Sequence, residues 1–184
     1  MKKSITIREI ALVGLFTALI TIGAYIRIPV PVVPFTLQFL FTMLAGLLLG
    51  RRLGAISVGA YIVLGLIGLP IFTQGGGLGY IFVPTFGYII GFCVAAYITG
   101  KLANKVSCPS YKRLLAANLI GLGVVYLFGM VYYYLICNFY LSSPIGVLAL
   151  IIYCFILAVP GDIVLCLLAA KVAKTLIPLV RRSV

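Results

Sequence analysis

The sequence predicts an all-α integral membrane protein with six transmembrane helices. Of the 184 residues, 64% are hydrophobic, and the mean hydropathy is +1.29. A soluble domain has about 45–50% apolar residues. The polar stretches are no longer than short loops, so we expect one transmembrane domain over residues 1–184 and no separate soluble domain.

Six apolar segments are long enough to cross a bilayer. A hydrocarbon core of about 30 Å needs roughly 20 helical residues, and a helix satisfies its backbone hydrogen bonds without help from water. The last segment contains Pro160 and Gly161, which are expected to interrupt its helical hydrogen bonding. The predicted helices cover residues 9–26, 35–50, 53–69, 84–100, 114–137 and 145–173.

The positive charges predict the orientation of these helices. Of 14 Lys and Arg residues, only Arg27 falls on the side of the membrane away from the N-terminus. Because Lys and Arg collect in cytoplasmic loops, we expect both chain ends in the cytoplasm. The net charge of +12 follows from this pattern, so no nucleic-acid partner is implied.

Asp162 is the strongest candidate for a functional residue. It lies within the sixth predicted helix, directly after Pro160 and Gly161, and Glu9 is the only other acidic residue. A carboxylate inside a membrane helix costs about 2.5–3.5 kcal/mol on insertion scales. Since no Lys or Arg lies within one helical turn, we predict a ligand contact and regard a structurally paired acid as the weaker alternative.

Other polar groups fall near the same side of the membrane. Thr36 and Gln38 begin the second helix, where helix–helix hydrogen bonding and ligand contact are equally good interpretations. Gly75, Gly76 and Gly77 form a loop whose backbone could approach a ligand closely, although a flexible linker is the plainer interpretation.

A proline-rich stretch and a tyrosine run also lie on that side. Residues 27–34 are stiff and apolar, which fits either a lid over a pocket or a loop resting on lipid headgroups. Residues 132–134 are three consecutive tyrosines, for which interfacial anchoring is the default interpretation.

Enzyme chemistry finds no support in the sequence. There is no histidine, no Cys-x-x-Cys pair and no phosphate-binding loop with its lysine. A set of nucleophile, base and orienting group is missing as well. We therefore expect neither catalysis nor a bound metal or cofactor.

Small residues line one face of the first helix. Ala11, Gly14 and Ala18 lie on neighbouring turns, and such faces let a second helix approach closely. The second helix could belong to this chain or to a partner protein.

Several of these motifs occur in an order that resembles the BioY family of biotin transporters. The likeness covers residues 14–92 and resumes at residues 159–170. It is carried by Pro29–Gln38, Leu44–Gly50 with Arg52, Gly54 and Ser57, Tyr61–Phe72, Pro84–Phe92 and the Pro160-Gly161-Asp162 motif.

This resemblance implies a bundle like the substrate-binding (S) component of energy-coupling factor (ECF) transporters. Such a protein lies in the cell membrane, binds biotin near the outer face and docks on a transmembrane coupling subunit joined to two ATPase subunits. Gly14 and Ala18 match the docking motif. The implied ligand residues are Asp162, Gln38, Thr36, Gly75, Gly76, Gly77 and Tyr88.

The chain departs from the family where a ligand carboxylate would bind. Leu165 stands where a lysine is usual, and Ile89 stands where some members have arginine. We therefore predict that Arg27 meets the carboxylate instead. Two alternatives stay open: an S component for another small vitamin, and an unrelated secondary transporter or channel.

Overall fold

The computed structural model describes residues 6–28, 35–106 and 108–182, with side chains to residue 179. In these residues the chain is helical apart from a small two-stranded ribbon and short turns. The elements are α1 (Ile7–Tyr25), β1 (Arg27–Ile28), β2 (Phe35–Thr36), α2 (Gln38–Leu66), a 3-10 turn (Leu78–Phe82), α3 (Phe86–Ala103), α4 (Tyr111–Phe139), α5 (Val147–Ile151), a π-helix (Ile152–Ile156) and α6 (Val159–Arg182).

Five helical segments of the described chain are long and apolar enough to span a membrane. They are α1, α2, α3, α4 and the run Val147–Leu179, which contains α5 and most of α6. The all-helical membrane class is therefore confirmed. The predicted count of six helices and the orientation with both ends in the cytoplasm are not confirmed.

The chain reverses direction inside α2, at Gly50. This residue has a φ of 83° and a ψ of 178°, far from helical values. A Cβ placed on Gly54 would lie 2.8 Å from the Cα of Gly46. Eight residues of continuous helix would separate such groups by about 12 Å, so residues 38–49 and 51–66 are two arms that fold back on each other. The reversal lies at the predicted boundary between the second and third helices.

The last membrane segment is interrupted where proline was expected to interrupt it. Residues 152–156 form a π-helix, in which Leu157 N donates to Ile152 O at 3.2 Å. Pro160 is the second residue of α6, where a missing backbone N–H leaves no helical bond unmade. The helix predicted over residues 145–173 is thus divided before Val159, and it continues to Arg182.

Helix packing places α3 between α2 and α4, with α6 against both α2 and α4 and α1 against α2. Side-chain hydrogen bonds cross three of these contacts. Thr17 Oγ1 donates to Ser57 O at 3.0 Å, Thr99 Oγ1 to Ala117 O at 3.2 Å, and Asn118 Nδ2 to Cys166 O at 3.0 Å. In membranes such bonds contribute about 0.6–2 kcal/mol each, so they help to fix the register of the bundle.

Basic residues gather at one end of this bundle. Arg113 Nε donates to Leu102 O at 3.0 Å, and Lys174 Nζ donates to Pro109 O at 3.1 Å. The backbone of Arg51 packs against Gly100 at the same end. Arg27 lies at the other end, where its guanidinium donates to Thr73 O at 2.8 Å. The structure therefore separates Arg27 from these basic residues in space, as the charge pattern of the sequence predicts.

The reversal at Gly50 generates a stability prediction. Its backbone occupies a region that is essentially restricted to glycine, so Gly50→Ala should lower the free energy of unfolding by about 1–3 kcal/mol. Gly59→Ala is the matched control, because Gly59 lies in the second arm with open space around its Cα. That change should preserve or slightly raise stability. Denaturant titration of both variants in detergent measures the difference, and equal stability would contradict the reversal.

Candidate ligand-binding site

A cavity lies at the end of the bundle away from the basic residues. Its volume is about 60 Å³, which is space for a few water molecules. The elements β2, α2, α3, α4 and α6, together with the loop and the 3-10 turn after α2, contribute to its wall. The lining residues are Phe35, Thr36, Gln38, Phe39, Thr73, Tyr80, Thr85, Tyr88, Ile89, Phe92, Val125, Tyr126, Ala158 and Asp162.

Asp162 lines this cavity from the first turn of α6. Its Oδ2 accepts a hydrogen bond of 2.6 Å from the hydroxyl of Tyr126 on α4. Bonds to an ionised oxygen are short and about twice as strong as neutral ones. No Lys or Arg among the described residues lines the cavity, so the carboxylate meets a hydroxyl rather than a cation there.

An aromatic cluster supports that pair. The ring of Tyr126 meets the rings of Tyr88 and Phe155 nearly edge-on, at 5.9 and 5.2 Å between centroids. Tyr88 donates from its hydroxyl to Cys154 O at 3.3 Å. The π-helix supplies both Cys154 and Phe155, so the local change of helical geometry presents a carbonyl and a ring to the cavity wall.

Two polar side chains of the cavity have atoms without a partner. Gln38 Nε2 and Thr85 Oγ1 are buried, and neither forms a hydrogen bond within the part of the chain that is described. Leaving a buried polar atom unpaired costs about 1–3 kcal/mol. These two atoms could therefore form hydrogen bonds with a polar ligand in the cavity.

The rim of the cavity is built from three separate parts of the chain. β1 and β2 pair antiparallel, with Arg27 opposite Thr36 and Ile28 opposite Phe35. Thr73 joins the rim through its hydroxyl, which lies 2.9 Å from that of Tyr80. Arg27 reaches this rim by its bond to the carbonyl of Thr73, although it does not line the cavity itself.

The first turn of α6 approaches the ribbon closely at Gly161. A Cβ added there would lie 2.5 Å from Cε2 of Phe35. The glycine of the Pro160-Gly161-Asp162 motif thus lets an aromatic ring cover the backbone directly before the carboxylate. The stretch 27–34, interpreted from sequence as either a lid or a loop on lipid headgroups, falls mostly on residues 29–34, which lie outside the described residues.

The structure brings together Asp162, Gln38, Thr36 and Tyr88 of the predicted ligand residues, but not the glycine loop. Gly75 N donates to Phe72 O at 3.2 Å and Gly77 N to Gly65 O at 2.7 Å. None of the three loop glycines is among the lining residues, and the loop reaches the cavity through Thr73. A ligand role for these glycines stays a prediction.

The small-residue face of α1 is open. Ala11, Gly14 and Ala18 are exposed, and a Cβ on Gly14 would meet no described atom within 4 Å. Within the described chain this face is therefore not used for internal packing. Its role as a partner interface stays a prediction.

Thr85 and Tyr126 are among the lining residues that the sequence analysis did not identify. Thr85 lies inside the stretch 84–92 that carried the family resemblance, so the motif could have identified it as a candidate site residue. Tyr126 had no such signal, because it is one of several tyrosines in an apolar helix and lies 36 residues before Asp162. Only the packing of α4 on α6 identifies it.

The fold and the cavity define a multi-pass membrane protein with a small, mostly apolar cavity at one end, into whose wall several polar side chains are built. Comparison with known proteins identifies the group: the profile of the BioY family matches residues 1–182, and the chain belongs to that family. It is a multi-pass protein of the cell membrane.

Curated relatives and one solved structure are similar over most of their length. A protein of Lysinibacillus sphaericus named probable biotin transporter BioY is 40% identical over 183 residues, covering 100% of this chain and 93% of the relative. The biotin transporter BioY of Thermotoga maritima is 40% identical over 137 residues, or 74% and 78%. A crystal structure of the S-component for biotin from an ECF-type ABC transporter matches with a TM-score of 0.79 and 29% identity, covering 92% of this chain and 90% of that one.

The contact between Gly161 and Phe35 can be tested by a double substitution. Gly161→Ala should lower the free energy of unfolding by about 1–3 kcal/mol, because the added methyl overlaps the ring. In a Phe35→Leu background the same change should cost clearly less. Gly123→Ala, in open space on α4, is the control and should not destabilise. Denaturant titration of the four variants gives the comparison, and equal costs in both backgrounds would contradict the contact.

Proposed function

We propose that this chain binds biotin in the end cavity and serves its uptake across the cell membrane as the S component of an ECF-type transporter. The observation that carries the proposal is Asp162, a carboxylate that lines an apolar and aromatic cavity inside the bundle beside unpartnered groups of Gln38 and Thr85. The names of the relatives and of the structural neighbour support biotin as the ligand.

Biotin presents groups that complement this cavity. Its ureido ring has two N–H donors and one carbonyl acceptor, and its sulfur ring is apolar. Asp162 accepts only when ionised and suits the ureido N–H groups. Gln38 Nε2, a donor without a described partner, suits the ureido carbonyl. Phe39, Tyr88 and Phe92 supply the surface for the sulfur ring.

Entry of this ligand requires the wall to move. A cavity volume of about 60 Å³ is well below the 300–1,000 Å³ or so of ligand pockets. The ribbon lies at the surface, since both residues of β1 are exposed and both residues of β2 are half-buried. We therefore assign the movement to the ribbon side, where Phe35 and Thr36 border the cavity.

The valerate carboxylate of biotin needs a partner other than the residues usual in the family. Leu165 is 4% exposed and Ile89 is 5% exposed, and neither can pair with an anion. Arg27 lies at the rim, where it donates to Thr73 O. We assign the carboxylate to Arg27, with the valerate chain leaving the cavity past Thr73.

Six spans with both ends in the cytoplasm complete the proposed topology. The two arms of α2 count as separate spans if each crosses the bilayer, and the reversal at Gly50 supports that reading. The basic end of the bundle then faces the cytoplasm, and the cavity with Arg27 faces outside. This arrangement suits capture of a vitamin from the external medium.

The open face of α1 is the proposed contact with a transmembrane coupling subunit, which in turn joins ATPase subunits. Ala11, Gly14 and Ala18 are exposed and allow a partner helix to approach closely. Arg8 lies on the turn before this face, at the end where the basic residues gather.

The central test is Asp162→Asn. Replacing the carboxylate by an amide of the same shape removes a charged acceptor, and a hydrogen bond to a charged group contributes about 1.5–3 kcal/mol. We therefore expect roughly 10- to 100-fold weaker binding of labelled biotin by the purified full-length protein. Glu9→Gln is the matched control, since it removes the only other acidic side chain, far from the cavity, and should leave affinity unchanged. Wild-type affinity in Asp162→Asn would contradict the proposed site.

The assignment of Arg27 is tested with a modified ligand. Exposed ion pairs contribute about 0.2–1 kcal/mol, so Arg27→Ala should weaken biotin binding by about two- to fivefold. Biotin amide lacks the carboxylate and should bind wild type and Arg27→Ala equally. Lys101→Ala, an exposed cation at the other end of the bundle, should change neither affinity. If Arg27→Ala and the amide both leave affinity unchanged, the assignment of the carboxylate to Arg27 is wrong and the carboxylate stays in water.

A further inference from the structure

We infer that Tyr126 is a positioning residue for ligand recognition: its hydroxyl holds one oxygen of Asp162 and leaves the other oxygen to the ligand. The inference rests on the proposed function, which it extends to a residue on α4 that no sequence motif identifies. The hydrogen bond of 2.6 Å between Tyr126 and Asp162 Oδ2 is its starting point.

This bond supports the carboxylate of Asp162. Among the described residues, no other side chain or backbone group donates to Asp162, and no cation lines the cavity. Ile89, which lines the cavity, and Leu165, three residues after Asp162 on α6, are apolar and buried. A carboxylate in such surroundings needs charge-assisted hydrogen bonds. Tyr126 therefore stabilises the negative charge in place of a cation.

The ring of Tyr126 is itself held in place by its neighbours. It is 4% exposed, and the rings of Tyr88 and Phe155 lie against it at interplanar angles of 88° and 80°. Tyr88 is tied in turn by its bond to Cys154 O. A hydroxyl on a ring packed from two sides has little freedom, and it therefore fixes the direction of the carboxylate it bonds.

The second carboxylate oxygen, Oδ1, is available to a ligand. Asp162 Oδ1 receives no hydrogen bond from the described residues, and Asp162 lines the cavity. An ionised carboxylate accepts but cannot donate. With Oδ2 occupied by Tyr126, the side chain offers one oriented oxygen to a neutral ligand with N–H donors, and the cavity selects against a ligand whose matching edge carries acceptors.

The chain offers a direct spectroscopic test of this pair. Asp162 is the only aspartate in the sequence, so growth on aspartate labelled with ¹³C at the side-chain carboxyl gives one carboxyl signal from this site in the full-length protein, provided that metabolic scrambling is suppressed. Tyr126→Phe keeps the ring and removes the hydroxyl, and it should shift this ¹³C signal. Tyr132→Phe is the matched control, because it also keeps the ring and removes a hydroxyl, which donates to Ile81 O, and Tyr132 does not line the cavity.

Binding measurements separate positioning from a merely structural role. Tyr126→Phe should weaken binding of labelled biotin by about 5- to 20-fold, whereas Tyr132→Phe should change it by less than about twofold. In an Asp162→Asn background the effect of Tyr126→Phe should nearly vanish, because the residue acts through the carboxylate. Where Asp162→Asn binds too weakly to measure, the ¹³C signal of Tyr126→Phe decides the question instead.

The outcomes distinguish this inference from the proposed function. If wild type does not bind biotin, the proposed function fails and the inference falls with it. If wild type binds biotin while Tyr126→Phe retains wild-type affinity and an unshifted ¹³C signal, the inference alone is overturned. An equal loss of affinity on removing the hydroxyl with and without the carboxylate would also overturn it, since that result describes a packing defect.

Discussion

One negative charge inside an apolar helical bundle is the constraint on which this structure depends. Water solvates a carboxylate far better than hydrocarbon does, so Asp162 is tolerated only where the surrounding helices supply hydrogen bonds. Tyr126 supplies one from α4, and the aromatic contacts with Tyr88 and Phe155 keep that donor in position. Three elements of the bundle thus meet at a single side chain of α6.

The same constraint explains the interrupted helix before Asp162. A regular α-helix keeps its carbonyl groups within the helix, whereas the π-helix Ile152–Ile156 leaves Cys154 O to accept from Tyr88. Gly161 then allows Phe35 to lie on the backbone next to the carboxylate. The irregular geometry is therefore confined to residues that surround the polar site, which is where a membrane protein can best satisfy exposed backbone groups.

Much of this arrangement can be predicted from the sequence, because hydropathy and charge act over long stretches. The membrane class, the interruption near Pro160 and the importance of the lone acid follow from such patterns. Thr36, Gln38 and Tyr88 lie in ordered motifs, and all three line the cavity. Tyr126 could not be predicted, since a hydroxyl on an apolar helix has no periodic signal and its partner is distant in the chain. The predicted boundary between the second and third helices coincides with the reversal at Gly50, but the sequence does not show that a single residue makes the reversal without an intervening loop.

The one-residue connection at Gly50 also holds the two arms of α2 close together. Asn104, at the end of α3, fixes this turn by donating from Nδ2 to Leu47 O at 3.3 Å. The bond from Thr17 to Ser57 O adds α1 to the same unit. These bonds join α1, both arms of α2 and the end of α3 into one packed unit. The open face of α1 is therefore connected to the cavity wall through α2, whose Gln38 and Phe39 line it, and α2 also packs on the helix that carries the carboxylate.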